Sequence, residues 1–451
     1  MVNIEVDFHD NIGKLKAING VGNGPICHEQ DLSKYFKEAH ITSVRYHDTD
    51  GGSAYGRCAI DVSRIFPNFD ADEMDENNYY FQHTDQIMKA AYECGVKIVY
   101  RLGESIDHSI YKRHARPPKD FEKWSRICIQ IIKHYNFGWA NGFQFNIKHW
   151  EIWNEPEGRS AKGDQPMWDG GTFDQVLDLY KTVVPKIKQL DPTLKVGGFS
   201  FMYCDFAVEP FLSFCQKESL PIDFLSYHHY SKDLDWILEE APKGREYLDK
   251  YGFKDTEIYI TEWSSMHLDD EYQGIFWEFI GDRFNNAEKC ALFFDNIKNH
   301  FGACQVASFL MVLNDLPIDD AHYYDFQPDS LWCGFFDKYF RPQKPYYAFK
   351  WYGDMLVSQE YRAKAKTDAK DCNAIATKSK DGEMLLFANY LCDVKSAKVK
   401  LNNLTEGKTL RIYCIDDKKN QNLVFEKEKV SANEIVKIKV RPNSVLQFIC
   451  N

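Results

Sequence analysis

No run of apolar residues in this 451-residue chain approaches the roughly 20 that a membrane-spanning helix needs. Basic residues are also few: 55 lysines and arginines stand against 67 aspartates and glutamates, which leaves a formal net charge of −12. Because nucleic acids and anionic membranes bind basic patches, the charge argues against both as partners. It also disfavours a polyanionic sugar, unless arginines cluster locally.

The 13 cysteines are scattered, and no two of them form a Cys-x-x-Cys pair. This odd, unpaired set indicates reduced and mostly buried thiols rather than a disulfide framework. Residues 1–7 lack the charged start and apolar run of a signal peptide. If Met1 is the native start we expect a cytoplasmic protein, and if a leader has been removed we expect a periplasmic or secreted one.

The chain also lacks the phosphate-binding loop of an open doubly wound sheet, because no helix follows the glycines of residues 20–24 in the required position. Strand-like and helix-like patterns alternate instead from about residue 14 to 357, which predicts an α/β fold, a (β/α)8 TIM barrel. The predicted strands cover residues 16–21, 41–46, 96–102, 147–153, 194–199, 222–227, 257–261 and 303–313. The predicted helices cover residues 32–39, 81–94, 121–135, 173–190, 208–217, 234–251, 276–300 and 346–356.

Near residue 361 the pattern changes to short strand-like runs separated by turn residues. This predicts a small all-β sandwich over residues 358–451, after a catalytic barrel over residues 13–357. A further strand at residues 4–8 has no helix after it. We therefore expect residues 1–12 to pair into the sandwich and to join the two domains.

Two of the predicted barrel strands end on a glutamate. Glu155 stands directly before Pro156, which cannot donate a ladder hydrogen bond and so ends its strand. Glu262 ends the seventh strand. Because such barrels keep their active sites at the C-terminal ends of the strands, both carboxylates should face one cleft. A pair of carboxylates on two strand ends is what cleavage of a glycosidic bond requires.

We assign Glu155 as the general acid/base and Glu262 as the nucleophile. The amide of Asn154 can bond a sugar hydroxyl next to the reacting carbon. Glu151 shares the strand parity of Glu155 but lies deeper, which favours a buried ion pair. Arg45 is then a candidate partner for a barrel carboxylate. The sequence does not measure the gap between the two carboxylates, which decides between retention and inversion.

Other side chains near strand ends are candidates for binding the sugar. They are His47, Asp48, Glu104, Trp263, Asn314, Asp315 and Trp332. The adjacent pair His228 and His229 raises the question of zinc, but neighbours on a strand point to opposite faces. We therefore predict no metal and no cofactor. We expect instead that a tyrosine hydroxyl orients the nucleophile and that a histidine supports the acid/base.

These segments resemble glycoside hydrolase family 39, which contains retaining β-xylosidases and α-L-iduronidases. Residues 150–156 (WEIWNEP) look like its acid/base motif and residues 260–263 (ITEW) like its nucleophile motif. Similar likenesses cover the second strand, the sixth strand and the closing segment, at residues 44–47, 223–230 and 334–349. The resemblance implies that His228 and Tyr230 line the site. The chain differs from the family pattern at Tyr227, His229 and residues 101–105. We expect these residues in the sugar pocket, so the identity of the sugar is not determined.

The leading hypothesis is a retaining, exo-acting glycosidase of the β-xylosidase type, whose partner is a carbohydrate. Insertions at residues 107–119 and 158–171 would close one end of the cleft, which favours exo action. The alternatives are an endo-acting polysaccharide hydrolase, an exo-glycosidase for arabinosides, galactosides or glucosides, a zinc-dependent barrel hydrolase, and a non-catalytic sugar-binding barrel. The presence of both glutamates argues against the last of these. The sequence leaves open whether the protein forms a homo-oligomer.

Overall fold

The chain folds into a closed barrel of eight strands and a second domain built on a nine-stranded sheet. A computed structural model describes residues 1–27, 30–50, 58–107, 114–158, 167–264, 295–328 and 333–451. The strands are β1 (Val2–Asn11), β2 (Gly20–Gly22), β3 (Ile26–Cys27), β4 (Gln30–Asp31), β5 (Ser43–Tyr46), β6 (Lys97–Leu102), β7 (His149–Ile152), β8 (Lys195–Phe201), β9 (Phe224–Tyr230), β10 (Glu257–Ser264), β11 (Asp320–Tyr323), β12 (Tyr361–Thr367), β13 (Asn373–Lys378), β14 (Glu383–Ala388), β15 (Ser396–Asn402), β16 (Leu410–Ile415), β17 (Asn422–Lys427), β18 (Asn433–Lys439) and β19 (Val445–Cys450).

The barrel consists of β2 and of β5 to β11, each paired in parallel with the next along the chain. The last of these strands, β11, pairs with β2 and closes the ring. The predicted (β/α)8 topology is therefore confirmed. The α-helices with both ends in the described part are α1 (Ser33–Glu38), α2 (Val62–Ile65), α3 (Gln82–Cys94), α4 (Phe121–Phe137), α5 (Phe173–Leu190), α6 (Val208–Glu218), α7 (Leu234–Lys250), α8 (His300–Leu313) and α9 (Lys344–Ser358), and residues 295–298 are also helical.

The start of helix α5 is determined by hydrogen bonds between neighbouring residues. Its N-cap, Thr172, accepts a hydrogen bond from the backbone N–H of Gln175, and the Gln175 side chain accepts one from the N–H of Thr172. Val176, Leu179 and Val183 follow at helical spacing and are buried against the barrel. The predicted helix at residues 276–300 falls mostly on residues 265–294, outside the described part.

The eighth strand is not at residues 303–313, where the apolar run predicted it. These residues form α8, and the strand that closes the barrel is β11. Helix α8 is buried on nearly every side because it lies between the barrel and the second domain, where Cys304 Sγ donates to the carbonyl of Ser444. A helix without a polar face has no amphipathic period, so its sequence is indistinguishable from that of a buried strand.

The second domain is one continuous sheet in the order β17-β16-β19-β14-β13-β12-β1-β15-β18. Strand β1 pairs antiparallel with β12 and parallel with β15, which confirms that the N-terminal strand joins the C-terminal domain. Val2, Ile4, Val6 and Phe8 alternate inward along β1 and meet apolar side chains from both halves of the sheet in one core. The fold therefore has a second hydrophobic core beside that of the barrel.

The structure also bears on the expectations for the cysteines and for membrane-spanning helices. Twelve cysteines lie among the described residues; none of these is in a disulfide and nine are buried. Within the same residues, no helix has both the length and the apolar character that a membrane crossing requires.

Candidate active site

The backbone places Glu155 at the C-terminal mouth of the barrel, just past β7. Pro156 follows it, and both Trp153 and Glu155 adopt left-handed backbone conformations, with φ of 65° and 43°. These strained turns are held by hydrogen bonds: the N–H of Trp153 donates to Leu102 O at 2.8 Å, and its indole Nε1 donates to Met167 O at 2.7 Å. The conformation turns the chain sharply out of the strand and presents the Glu155 carboxyl to the mouth.

Glu262 reaches the same mouth through a bulge in β10. Ile260 pairs with Tyr227 and Glu262 pairs with His228 on β9, which leaves Thr261 as the extra residue. Thr261 and Glu262 consequently both contact side chains inside the barrel, Ser200 and Arg45 respectively. Trp263, the next residue along β10, therefore points outward to the surrounding helices.

One carboxylate oxygen of Glu155, one of Glu262 and one nitrogen of His228 all lie within 4.8 Å of one another. Retaining glycosidases hold their two carboxyl groups about 5–5.5 Å apart, and inverting ones hold them about 6.5–9.5 Å apart. The close approach of these two oxygens is compatible with the shorter, retaining separation. Two carboxylates and an imidazole could also ligate zinc.

Arg45 is buried and connects the pair to the rest of the barrel mouth. Its Nη1 donates to Glu262 Oε1 at 2.6 Å, its Nε donates to Glu151 Oε2 at 2.8 Å, and its Nη2 donates to Asn154 Oδ1 at 2.6 Å. Tyr230 Oη donates to the other oxygen of Glu262 at 2.5 Å. Burial raises the pKa of Glu262 above its ordinary value, while His228 and Arg45 oppose that shift.

His228 lies between the two carboxylates. Its Nδ1 is 2.6 Å from Glu155 Oε1, and its Nε2 is 3.5 Å from Glu262 Oε1. Burial lowers the pKa of His228 to about 4, so the imidazole carries a single proton at neutral pH. The alternation of β9 explains its position: Ser226, His228 and Tyr230 point into the barrel.

Ser200, at the end of β8, belongs to this network and was not predicted from the sequence. Its Oγ lies 2.8 Å from Arg45 Nη2, 2.7 Å from His228 Nε2 and 2.6 Å from Thr261 Oγ1. The predicted strand ended at residue 199, so the only signal was a small polar residue immediately after a barrel strand. Its three partners come from three other strands, which no local pattern connects.

His47 and Asp48 follow β5 at the same mouth and are buried. His47 Nε2 lies 3.2 Å from Asp48 Oδ1, which also accepts from the backbone N–H of Ile106 at 2.9 Å. The true eighth strand, β11, leads to Asp325 and Gln327, whose side chains are 2.8 Å apart. These two residues were missed because the eighth strand was predicted too early in the chain.

Several expected site residues lie elsewhere. Asn314 and Asp315 end α8 ahead of β11, at the opposite end of the barrel, where Asn314 Nδ2 donates to Leu310 O and Asp315 pairs with Arg362. The assignment of Asn314 and Asp315 to the sugar site is therefore wrong. Trp332 lies outside the described residues.

Trp263 and Glu104 also point away from the cleft. Trp263 is fully buried and stacks on Phe309 of α8 at 4.3 Å between ring centroids, so it is a core residue rather than a sugar platform. Strand alternation forces this, since Glu262 beside it points inward. Glu104 is buried against α2, where its oxygens accept from the backbone N–H and the hydroxyl of Ser63. Burial raises the pKa of Glu104 well above its ordinary value.

Two departures from the resembled family, Tyr227 and His229, are not in the sugar pocket either. Both lie on the helix-facing side of β9, and His229 Nδ1 is 2.6 Å from Glu240 Oε2 on α7. Arg101, in the third departing segment, is buried and pairs with Asp61. The expectation that Tyr227 and His229 select the sugar is therefore wrong.

A closed eight-stranded parallel barrel with two carboxylates close together at its C-terminal mouth has the arrangement that cleavage of a glycosidic bond requires. The chain belongs to glycosyl hydrolases family 39, whose model matches residues 19–274, more than half of its length.

Among its relatives, a beta-xylosidase of Caldicellulosiruptor saccharolyticus is 28% identical over 255 residues, which cover 52% of this chain and 47% of that protein. The match therefore spans about half the length of this curated relative. Two crystal structures have the same fold over the whole chain: a glucosidase from Croceicoccus marinus (TM-score 0.81, 20% identity, 99% of that chain) and a monomeric beta-xylosidase from Caulobacter crescentus CB15 (TM-score 0.74, 16% identity, 99% of that chain).

Proposed function

We propose that this protein is a retaining, exo-acting glycoside hydrolase of the β-xylosidase type. The observation that carries the proposal is the approach of Glu155 and Glu262 to within 4.8 Å at the mouth of the barrel. The similarity to a beta-xylosidase supports a xyloside as the substrate. The loops at residues 107–119 and 158–171, on which exo action rests, lie partly outside the described residues.

The chemistry follows from the contacts of the pair. Glu262 attacks the anomeric carbon while Glu155 gives its proton to the glycosidic oxygen, so the leaving group departs as an alcohol and a glycosyl-enzyme forms. Glu155 then takes a proton from a water, which attacks the same carbon and frees Glu262. Arg45 and Tyr230 each hold one oxygen of Glu262, so the nucleophile is oriented before the substrate arrives.

Asn154 has a defined orientation in this mechanism. Its Oδ1 accepts from Arg45 Nη2, so the amide oxygen is fixed and the Nδ2 group remains as the donor. A donor beside the acid/base can bond the sugar's 2-hydroxyl, an interaction that strengthens in the transition state. Asn154 thus contributes to binding the reacting sugar rather than to proton transfer.

Two substitutions test these roles. Glu262→Gln removes the nucleophile and should lower kcat on the order of 10⁴-fold or more. Glu155→Gln removes the acid and should lower kcat/KM about 10²- to 10⁴-fold for poor leaving groups, but far less for activated aryl glycosides. Glu246→Gln, at an exposed position on α7, is the matched control and should leave both rates unchanged. Full activity of both active-site variants would contradict the assignment.

A screen of aryl xylosides, arabinosides, glucosides, galactosides and iduronides tests the sugar, and NMR of the first product tests stereochemistry. We expect the xyloside to be preferred and the anomeric configuration to be retained. An inverted product would exclude double displacement. Activity should survive a strong chelator, and its loss would favour the zinc-dependent alternative. Release of single sugars from the end of an oligosaccharide would support exo action.

A further inference from the structure

A second cavity lies on the catalytic face of the barrel, between the loop after β8 and the first turns of α7. Its volume is about 220 Å³, which suits a single sugar ring rather than an extended chain. Its walls include two aromatic side chains, Tyr203 and Trp236, and four charged ones, Asp205, Glu239, Glu240 and Lys243. None of these residues takes part in the catalytic network described above.

The loop that forms this cavity runs beside the acid/base. The backbone N–H of Glu155 donates to Phe199 O and Ser200 O, both at 3.1 Å, and the backbone N–H of Met202 donates to Glu157 Oε1 at 2.6 Å. The end of β8 and the start of the loop are therefore hydrogen-bonded to Glu155 and to Glu157. Because Glu155 protonates the departing oxygen, the leaving group must lie on this side of the reacting carbon.

The lining of the cavity has the chemistry of a sugar site. The rings of Tyr203 and Trp236 are 5.1 Å apart at an angle of 42°, and both side chains are only partly buried, so they can pack on the C–H face of a sugar. Asp205 Oδ1 is buried and has no hydrogen-bond partner within the described part of the chain, so it is an acceptor that a sugar hydroxyl would satisfy. Glu240, by contrast, is held by Cys204 N and His229 and serves as a rigid wall.

We propose that this cavity binds the first sugar of the leaving group, with Trp236 and Tyr203 as its platform and Asp205 as a hydroxyl acceptor. This rests on the proposed glycosidase activity and deepens it: the substrate is an oligosaccharide with a neutral sugar next to the cleaved bond. Three acidic side chains, Asp205, Glu239 and Glu240, line the cavity with a single cation, Lys243, and so disfavour an anionic sugar at that position.

The test compares two substrates that share the reacting sugar. One is the β-linked disaccharide of the sugar selected by the aryl screen, and the other is its glycosyl fluoride, which has no sugar in the leaving group. Trp236→Ala should lower kcat/KM for the disaccharide at least about tenfold and change that for the fluoride less than about twofold. Trp236→Phe keeps an aromatic face and should recover most of the loss. Leu238→Ala, at an exposed position of the same helix, is the control.

The outcomes separate the inference from the proposed function. If the wild type cleaves neither substrate, the proposed glycosidase activity fails, and the inference fails with it. If the wild type cleaves both and Trp236→Ala leaves both rates unchanged, the inference alone is wrong. An equal loss on both substrates would show that Trp236 acts by supporting the fold around His229, which it contacts, and would also overturn the inference.

Discussion

His228 contacts both members of the proposed catalytic pair, Glu155 and Glu262. Its Nε2 lies 2.7 Å from Ser200 Oγ, and that hydroxyl also accepts from Arg45. If Ser200 gives its own proton to His228, the single imidazole proton is on Nδ1 and points at Glu155. If Ser200 gives it to Thr261 Oγ1, 2.6 Å away, the imidazole proton is on Nε2. The direction of the hydrogen bond between Ser200 and Thr261 therefore decides which imidazole nitrogen carries the proton.

The depressed pKa of His228, about 4 against an ordinary 6.5, gives a pH dependence of stability. Between these values the unfolded chain binds a proton that the folded chain does not, so stability is full above about pH 6.5 and is lost as the pH falls towards 4. In His228→Gln the melting temperature should therefore fall less steeply over this interval than in the wild type, as measured by calorimetry. His9→Gln, at an exposed histidine, should keep the wild-type slope. Identical slopes for all three proteins would contradict a neutral His228.

Among single residues, the sequence predicted those whose position follows from their immediate neighbours in the chain. Glu155 and Glu262 each follow a recognisable strand, and the inward face of β9 follows from alternation alone. Ser200 is different, since its role depends on Arg45 and His228, which lie far from it in the chain. Trp263 was misplaced because the bulge at Thr261 shifts the alternation of β10, so that Glu262 points inward and Trp263 outward.

At the scale of elements, α5 and α8 show what decides whether a helix can be predicted. Helix α5 was predicted over residues 173–190 and has those bounds, because a capping box marks its start and one face is polar. Helix α8 was taken for a strand, since both of its faces are buried between two domains. Burial by a distant domain is tertiary information that a local window does not contain.

The capping box of α5 can be tested directly. Thr172→Ala removes the side chain that satisfies the N–H of Gln175, and it should lower the free energy of unfolding by about 1 kcal/mol, as urea titration measures it. Thr172→Ser keeps the hydroxyl and should retain most of that stability. An alanine variant as stable as the wild type would show that the cap makes no contribution.

At the scale of the whole molecule, the first and last parts of the chain together form one domain, and the barrel is formed by the segment between them in the sequence. Strand β1 lies inside the nine-stranded sheet, between β12 and β15, rather than at its edge. The sheet domain also contacts the barrel. Tyr390 Oη donates a hydrogen bond to Lys232 O, just past β9, and Cys304 Sγ of α8 donates one to Ser444 O. Loss of β1 should therefore weaken both domains.

Val6→Asp tests this arrangement. Val6 is fully buried in the core of the sheet domain, so a carboxylate there would be unpaired and should cost several kcal/mol of stability. Glu5→Gln is the matched control, because Glu5 is an exposed neighbour whose ion pair with Lys400 contributes little. We expect circular dichroism to show a much lower melting temperature for Val6→Asp and a nearly unchanged one for Glu5→Gln. Because the sheet domain packs on α8 and the end of β9, glycosidase activity should be lost on heating at the same lowered temperature. If Val6→Asp melted with the control, β1 would contribute nothing to the core, and if activity outlasted the melting of the sheet, the barrel would be stable without it.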